Sequence, residues 1–183
     1  MMHSGWRRLG LFALLLVEAT GREAHSTVLP EEELKAAIVL SFARFGEWPR
    51  EETAAAEPVI IGVLHSPEMA AALSRLAAGK TSGGRPIAVR ALDNVAEAQA
   101  CHLVLIGHIR GQAVREALAA LRPHPVLTIG ENAETLDLGG VIHLFEQDGR
   151  PSFEVSLDAL ARTRLAISAK LLRLGHAVRG KGR

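Results

Sequence analysis

Few residues of this chain could do chemistry, and their spacing argues against catalysis. Of eight histidines, His65 and His108 stand where apolar strands should end, and His102 and His143 lie within or beside strands. No HxxxH, His-x-Glu or cysteine pair with ligand spacing accompanies them, so they read as surface or hydrogen-bonded core residues and no metal is assigned. Gly79-Lys80-Thr81 ends like a phosphate loop, but position 74 is Ser where that loop needs Gly, and the segment leads from a helix into a strand. Gly107-His108-Ile109-Arg110-Gly111 joins a strand to a helix and could offer amides to an anion, but it lacks the Rossmann glycine pattern and reads as an ordinary loop. There is no G-x-S-x-G elbow, the single Cys101 falls inside an apolar strand, and no second carboxylate is spaced to work with Glu154. No catalytic residue and no cofactor is therefore assigned. The expectation is a binding or regulatory domain, not an enzyme. Trp48, followed by Pro49 beyond an amphipathic helix, either seats the helix end on the core or stands exposed as an interface anchor.

The elements that must position these residues follow from periodicity. Pro30-Glu31-Glu32-Glu33 opens a helix, with proline suited to the first turn and carboxylates to the positive end of the dipole. Leu34, Ala37, Ile38, Phe42 and Phe45 mark one face, and the helix stops before Trp48-Pro49, followed by a polar connector over 50–57. Pro58–Leu64, Cys101–Ile106 and Pro125–Ile129 are short continuous apolar runs, the pattern of strands buried on both faces. Arg85–Leu92 alternates and suits a strand nearer the sheet edge. Helices are expected from a Ser66 cap through about Ala78, over 94–100 and over Gly111–Leu121, with Gly130–Leu138 a loop or broken turn. Asp148-Gly149 between two alternating runs, Val141–Phe145 and Ser152–Leu157, predicts a tight hairpin. A helix then runs to Val178, with a broad apolar stripe through Leu157, Leu160, Leu165, Ile167, Leu171 and Leu174. The fold class is α/β: a single-domain layered fold with a mixed, mostly parallel sheet flanked by helices, closed by a C-terminal hairpin and a long helix.

Composition bounds the function. Five Phe, two Trp and no Tyr leave little aromatic platform for stacking bases, and a net charge of +1 shows no pull toward nucleic acid or anionic lipid. Arg7-Arg8 before Leu9–Val17 has the form of a signal peptide, with small residues allowing cleavage after Gly21 or Ser26. Residues 1–26 are thus expected to direct export. Cleavage after Gly21 would leave 19 basic and 19 acidic residues. A lone cysteine permits no bridge within the chain, and Cys101 reads as a buried small hydrophobe.

Five motifs in order resemble the YfiR family of bacterial periplasmic proteins, often known only as a domain of unknown function. They are LKAAIVLSFARFGEWP (34–49), GRPIAVRAL (84–92), CHLVLIG (101–107), PVLTIGE (125–131) and the stretch from Gly139 to Val178. The resemblance covers most of residues 27–178, leaving a basic tail over 179–183. It implies a periplasmic repressor that holds a membrane-bound diguanylate cyclase inactive through the cyclase's periplasmic sensor domain, and so controls cyclic-di-GMP. It further implies an outer-membrane, peptidoglycan-binding lipoprotein as antagonist, and a homodimer. The chain departs from the family at Leu40-Ser41, where Tyr-Asn is usual, at His143 and Ser156, where Asn is common, and in lacking the cysteines for internal disulfides.

Two sets of site residues follow. For partner binding they are Glu47, Trp48, Pro49 and, more weakly, Arg85. For the alternative, a periplasmic small-molecule module with its site at the carboxyl ends of the strands, they are His65, Ser66, His108, Thr128 and Glu131.

Overall fold

The computed structural model of the chain describes residues 31–48, 57–175 and, for the backbone, 177–179. The expected signal peptide, Pro30, Pro49, most of the following connector and the end of the tail lie outside the described residues. In chain order the elements are α1 (Glu31–Phe45), β1 (Gly46–Glu47), β2 (Val59–Leu64), α2 (Pro67–Ala77), β3 (Thr81–Ser82), β4 (Arg85–Leu92), α3 (Val95–Ala98) and β5 (Leu103–Ile106). There follow α4 (Gln112–Leu121), β6 (Leu127–Gly130), α5 (Glu134–Asp137), β7 (Ile142–Gln147), β8 (Arg150–Ser156), α6 (Leu157–Thr163), β9 (Ala166–Ile167), α7 (Ala169–Leu172) and β10 (Ala177–Arg179).

The main sheet runs β10-β8-β7-β6-β5-β2-β4-β3. Strands β4, β2, β5, β6 and β7 are mutually parallel, β8 returns antiparallel to β7, and β3 is an antiparallel edge on β4. The continuous apolar runs are explained by burial on both faces. Along β2, Val59, Ile61 and Val63 join a core roofed by α1 and α2, while Leu64 joins a second core beneath α3 and α4. Leu103 and Leu105 of β5 face the first core, Val104 and Ile106 the second. A strand between two helical layers has no solvent face, so no polar alternation is needed.

The hairpin turns as its sequence requires. Asp148 and Gly149 both take positive φ (52° and 71°) and join Gln147 to its partner Arg150. That is the primed geometry whose twist matches the flanking strands. The expected helix over 94–100 is shorter, a single turn capped by Asn94, and the expected loop or broken turn over Gly130–Leu138 holds the one-turn α5.

The long terminal helix is the main correction. The stretch begins as α6, but Arg164 takes a left-handed φ of 59° and the chain becomes β9, α7 and β10. Locally, the Thr163 hydroxyl donates to Leu160 O at 2.7 Å and accepts from Leu165 N–H at 3.2 Å, replacing helical bonds with side-chain ones. Farther away, β1 offers a strand partner to Ala166–Ile167, and β8 offers one to Ala177–Arg179. The apolar residues are still used, but not as one stripe. Leu160, Leu165, Ile167 and Leu171 are buried, while Leu157 and Leu174 remain 39% and 71% exposed.

Candidate functional site

The parallel strands deliver their following loops to one edge of the sheet. Strand order reverses between β2 and β5, because the chain moves from β2 out to β4 and then back to the other side of β2. Such a switch point is where open α/β sheets leave a crevice for ligands. Here it is closed. A Cβ on Gly107 would lie 2.6 Å from His65 O and 2.8 Å from Ser66 Cβ, so the loops after β2 and β5 touch and only glycine fits between them. His65 is exposed, and Ser66 is buried at the start of α2 without a side-chain capping bond.

The opening lies one strand pair over, between the loops after β5 and β6. A cleft of about 320 Å3 is lined there by His108, Arg110, Glu131, Asn132, Ala133 and Glu134. Of the five residues expected at the carboxyl edge, His108 and Glu131 come together in it. Thr128 does not: it is buried in β6, and its hydroxyl accepts the Val141 N–H at 3.0 Å, tying β6 to the start of β7.

Glu131 follows the last residue of β6, and its side chain is only 2% exposed. Lys35 Nζ from α1 stands 3.7 Å from Oε1, and His108 Nε2 3.8 Å from Oε2, both beyond hydrogen-bonding distance. Burial raises the Glu131 pKa above the ordinary carboxylate value, with His108 and Lys35 opposing. Lys35 is held more tightly by Glu31, at 2.5 Å, than by Glu131. Its own pKa is raised: burial alone would lower it, and the surrounding carboxylates more than offset that. Lys35 escapes sequence reading because it lies far from Glu131 along the chain. The only sequence signal is an acidic residue placed immediately after a mostly apolar strand.

The partner-binding set also gathers. Glu47, Trp48 and Arg85 line a second cleft of about 210 Å3, with Gly46, Ser82 and Gly83. Pro49 lies outside the described residues. Glu47 is exposed and Trp48 half-buried, its indole N–H donating to Ala43 O at 3.0 Å at the end of α1. The Arg85 guanidinium is turned inward. Nε donates to Glu57 O at 2.8 Å, and Nη2 lies 3.3 Å from Pro58 O and 2.9 Å from His102 Nε2. His102 in turn accepts the Ile60 N–H on Nδ1 at 3.1 Å and meets the Trp48 indole edge-on at 5.9 Å. Glu47 and the outer part of Trp48 are thus the groups of this set that face solvent, with Arg85 and His102 supporting them from behind.

Both nitrogens of His102 face donors, so an imidazolium would set N–H against N–H on both sides. Burial, reinforced by the Arg85 charge and opposed by Glu57, lowers the His102 pKa below its ordinary value. The unfolded chain therefore binds more protons than the native one once pH falls below about 6.5. His102 contributes stability that is present above that pH and lost as pH falls through the lower folded value. Urea midpoints measured from pH 7.5 to 5.5 should drop in the wild type and drop less in His102→Asn, whose amide oxygen can still accept the Ile60 N–H. Equal slopes would remove His102 as the cause.

Cys101 is buried as expected, its thiol 3.8 Å from Glu97 O, and burial pushes its pKa up, which suits an inert packing role.

Two solved structures align with parts of this chain. A conserved domain protein from Vibrio cholerae aligns with a TM-score of 0.46 at 12% identity, covering 66% of this chain and 55% of its own. The ABC domain from Streptococcus pneumoniae, solved in complex with L-Trp, aligns with a TM-score of 0.52 at 9% identity, covering 80% of this chain and 60% of its own. This chain thus spans less than two thirds of either protein, and the second likeness, at 9% identity, is one of fold alone. The family comparison goes further. The YfiR/HmsC-like family model matches residues 32–176, from the first turn of α1 to just before β10. That match takes in nearly all of α1 and Trp48 beyond it, the parallel strands and the Asp148-Gly149 hairpin, and this chain belongs to the YfiR/HmsC-like family.

Proposed function

We propose that this protein is a periplasmic, non-catalytic regulator that inhibits a membrane-bound diguanylate cyclase by binding its periplasmic sensor domain. The observation that carries this reading is family membership across residues 32–176. The convergence of Glu47, Trp48 and Arg85 on one cleft supports a contact at that surface. A regulator without catalytic groups works by binding one state of its partner better than another, and the difference in affinity sets how far the cyclase is shifted. Export by residues 1–26, a homodimer and a peptidoglycan-binding lipoprotein antagonist belong to the same reading. Among the described residues no helix is long and apolar enough to cross a membrane.

Deleting the gene should raise intracellular cyclic-di-GMP, and the wild-type chain should reverse the rise. Trp48→Ala should fail to reverse it, since loss of an interface tryptophan costs about 2 kcal/mol or more of binding, roughly thirtyfold in affinity. Glu47→Lys, which changes an exposed side chain, separates loss of docking from loss of fold. Unchanged cyclic-di-GMP on deletion, with the protein verified in the periplasm, would count against the cyclase. A second reading, a periplasmic small-molecule-binding module, is favoured by the cleft at His108 and Glu131.

A further inference from the structure

Among the described residues, the buried side-chain atoms with no hydrogen-bond partner are the two carboxylate oxygens of Glu131. Native interiors leave few such groups, and each asks for a reason. A buried carboxylate without donors destabilises the fold that contains it. Here the nearby cations do not supply them, because Lys35 is drawn to Glu31 and stands 3.7 Å away, and His108 is 3.8 Å away. The carboxylate nonetheless forms part of the wall of a cleft of about 320 Å3, at the small end of the roughly 300–1,000 Å3 typical of ligand sites.

The charge of the surroundings decides what kind of group completes the site. Around it stand four carboxylates, Glu31, Glu32, Glu131 and Glu134, against two fixed cations, Lys35 and Arg110. An anion would meet this excess and a buried carboxylate that can only accept hydrogen bonds. A cationic donor would be attracted by the first and would satisfy the second.

We propose that the cleft between the β5 and β6 loops binds a small organic cation whose guanidinium or ammonium group pairs with Glu131. A guanidinium suits two uncommitted oxygens best, because its parallel N–H groups meet a carboxylate bidentately. His108, 69% exposed at the outer side of Oε2, is the gate: exposed side chains change rotamer in picoseconds to nanoseconds, and one such change opens the way to the carboxylate. The proposal rests on the small-molecule reading of this cleft and is independent of any cyclase.

The test is calorimetric titration of agmatine, putrescine and glutarate into the purified protein at pH 7.5 and low salt, with thermal melts alongside. Agmatine should bind at one saturable site, more tightly than putrescine, and glutarate should not bind. Glu131→Gln keeps the shape and removes the charge. It should weaken agmatine roughly tenfold to hundredfold, as loss of a charge-assisted pair predicts, while the unliganded variant melts above the wild type. His108→Ala should retain binding. Absence of saturable binding by both cations, equal agmatine affinity in Glu131→Gln, or a variant melting below wild type would each overturn the proposal. The last outcome would make Glu131 a structural partner of Lys35. Glutarate binding without agmatine binding would keep the cleft as a ligand site and remove its assignment to cations.

Discussion

Arg85→Met should lower stability by about 3 kcal/mol, because three part-buried acceptors lose their donor and such a loss costs about 1–3 kcal/mol each, toward the low end where water can reach the acceptor. Arg85 is 6% exposed and spends its guanidinium on Glu57 O, Pro58 O and the His102 ring. These contacts tie the start of β4 to the chain entering β2 and to the residue just before β5. Methionine fills most of the arginine stem volume, so the effect isolates the lost donors from a cavity. Urea unfolding of the purified variant reads it directly. The same variant decides what Arg85 is for. A residue that only contacts a partner would leave the urea midpoint unchanged and affect cyclic-di-GMP alone, and that result would discard the supporting role.

Phe42→Ala should cost about 3–5 kcal/mol, the usual range for removing a buried phenylalanine, against a total stability of about 5–15 kcal/mol. Phe42 is fully buried on α1 and meets Phe153 of β8 edge-on, with centroids 4.9 Å apart. That contact pins the first helix to the hairpin. Its loss should loosen both ends of α1, where Lys35 approaches Glu131 and where Trp48 begins its cleft. For a protein of this size each 1 kcal/mol shifts the melting midpoint by about 2–4 °C, so a drop of about 6–20 °C is expected in a thermal melt. A drop of only one or two degrees would mean that α1 is held elsewhere.

The parts of the fold that were legible from sequence rest on local physics. Val59–Leu64 and Leu103–Ile106 could be read as buried strands because burial on both faces removes polar alternation, and Asp148-Gly149 because only a few residue types tolerate positive φ in succession. Val114, Leu118 and Leu121 were readable as the inner face of α4 because a 3.6-residue period repeats within the segment. The segment after Leu157 misled for a related reason. Its apolar spacing fits a helix, but spacing cannot register that β1 and β8 offer backbone partners to residues far along the chain.

The sites divide in the same way. Glu47 and Trp48 adjoin in sequence, and the tryptophan after an amphipathic helix singled them out as candidates. The meeting of Trp48 with His102 and Arg85 arises only when β4 and β5 flank β2. His108 and Glu131 were legible as strand-end residues, yet nothing along the chain separates them from His65, Ser66 and Thr128. Close packing of Gly107 against His65 shuts one crevice, and the next strand pair holds the cleft. By itself, the sequence determined the α/β layers, the hairpin and the family, because these depend on periodicity, turn chemistry and motifs within short stretches. Tertiary structure alone decided that the terminal helix breaks, that Arg85 turns inward and that Glu131 is buried without a donor. Each of those outcomes is set by groups from distant segments competing for the same hydrogen bonds, charges and space.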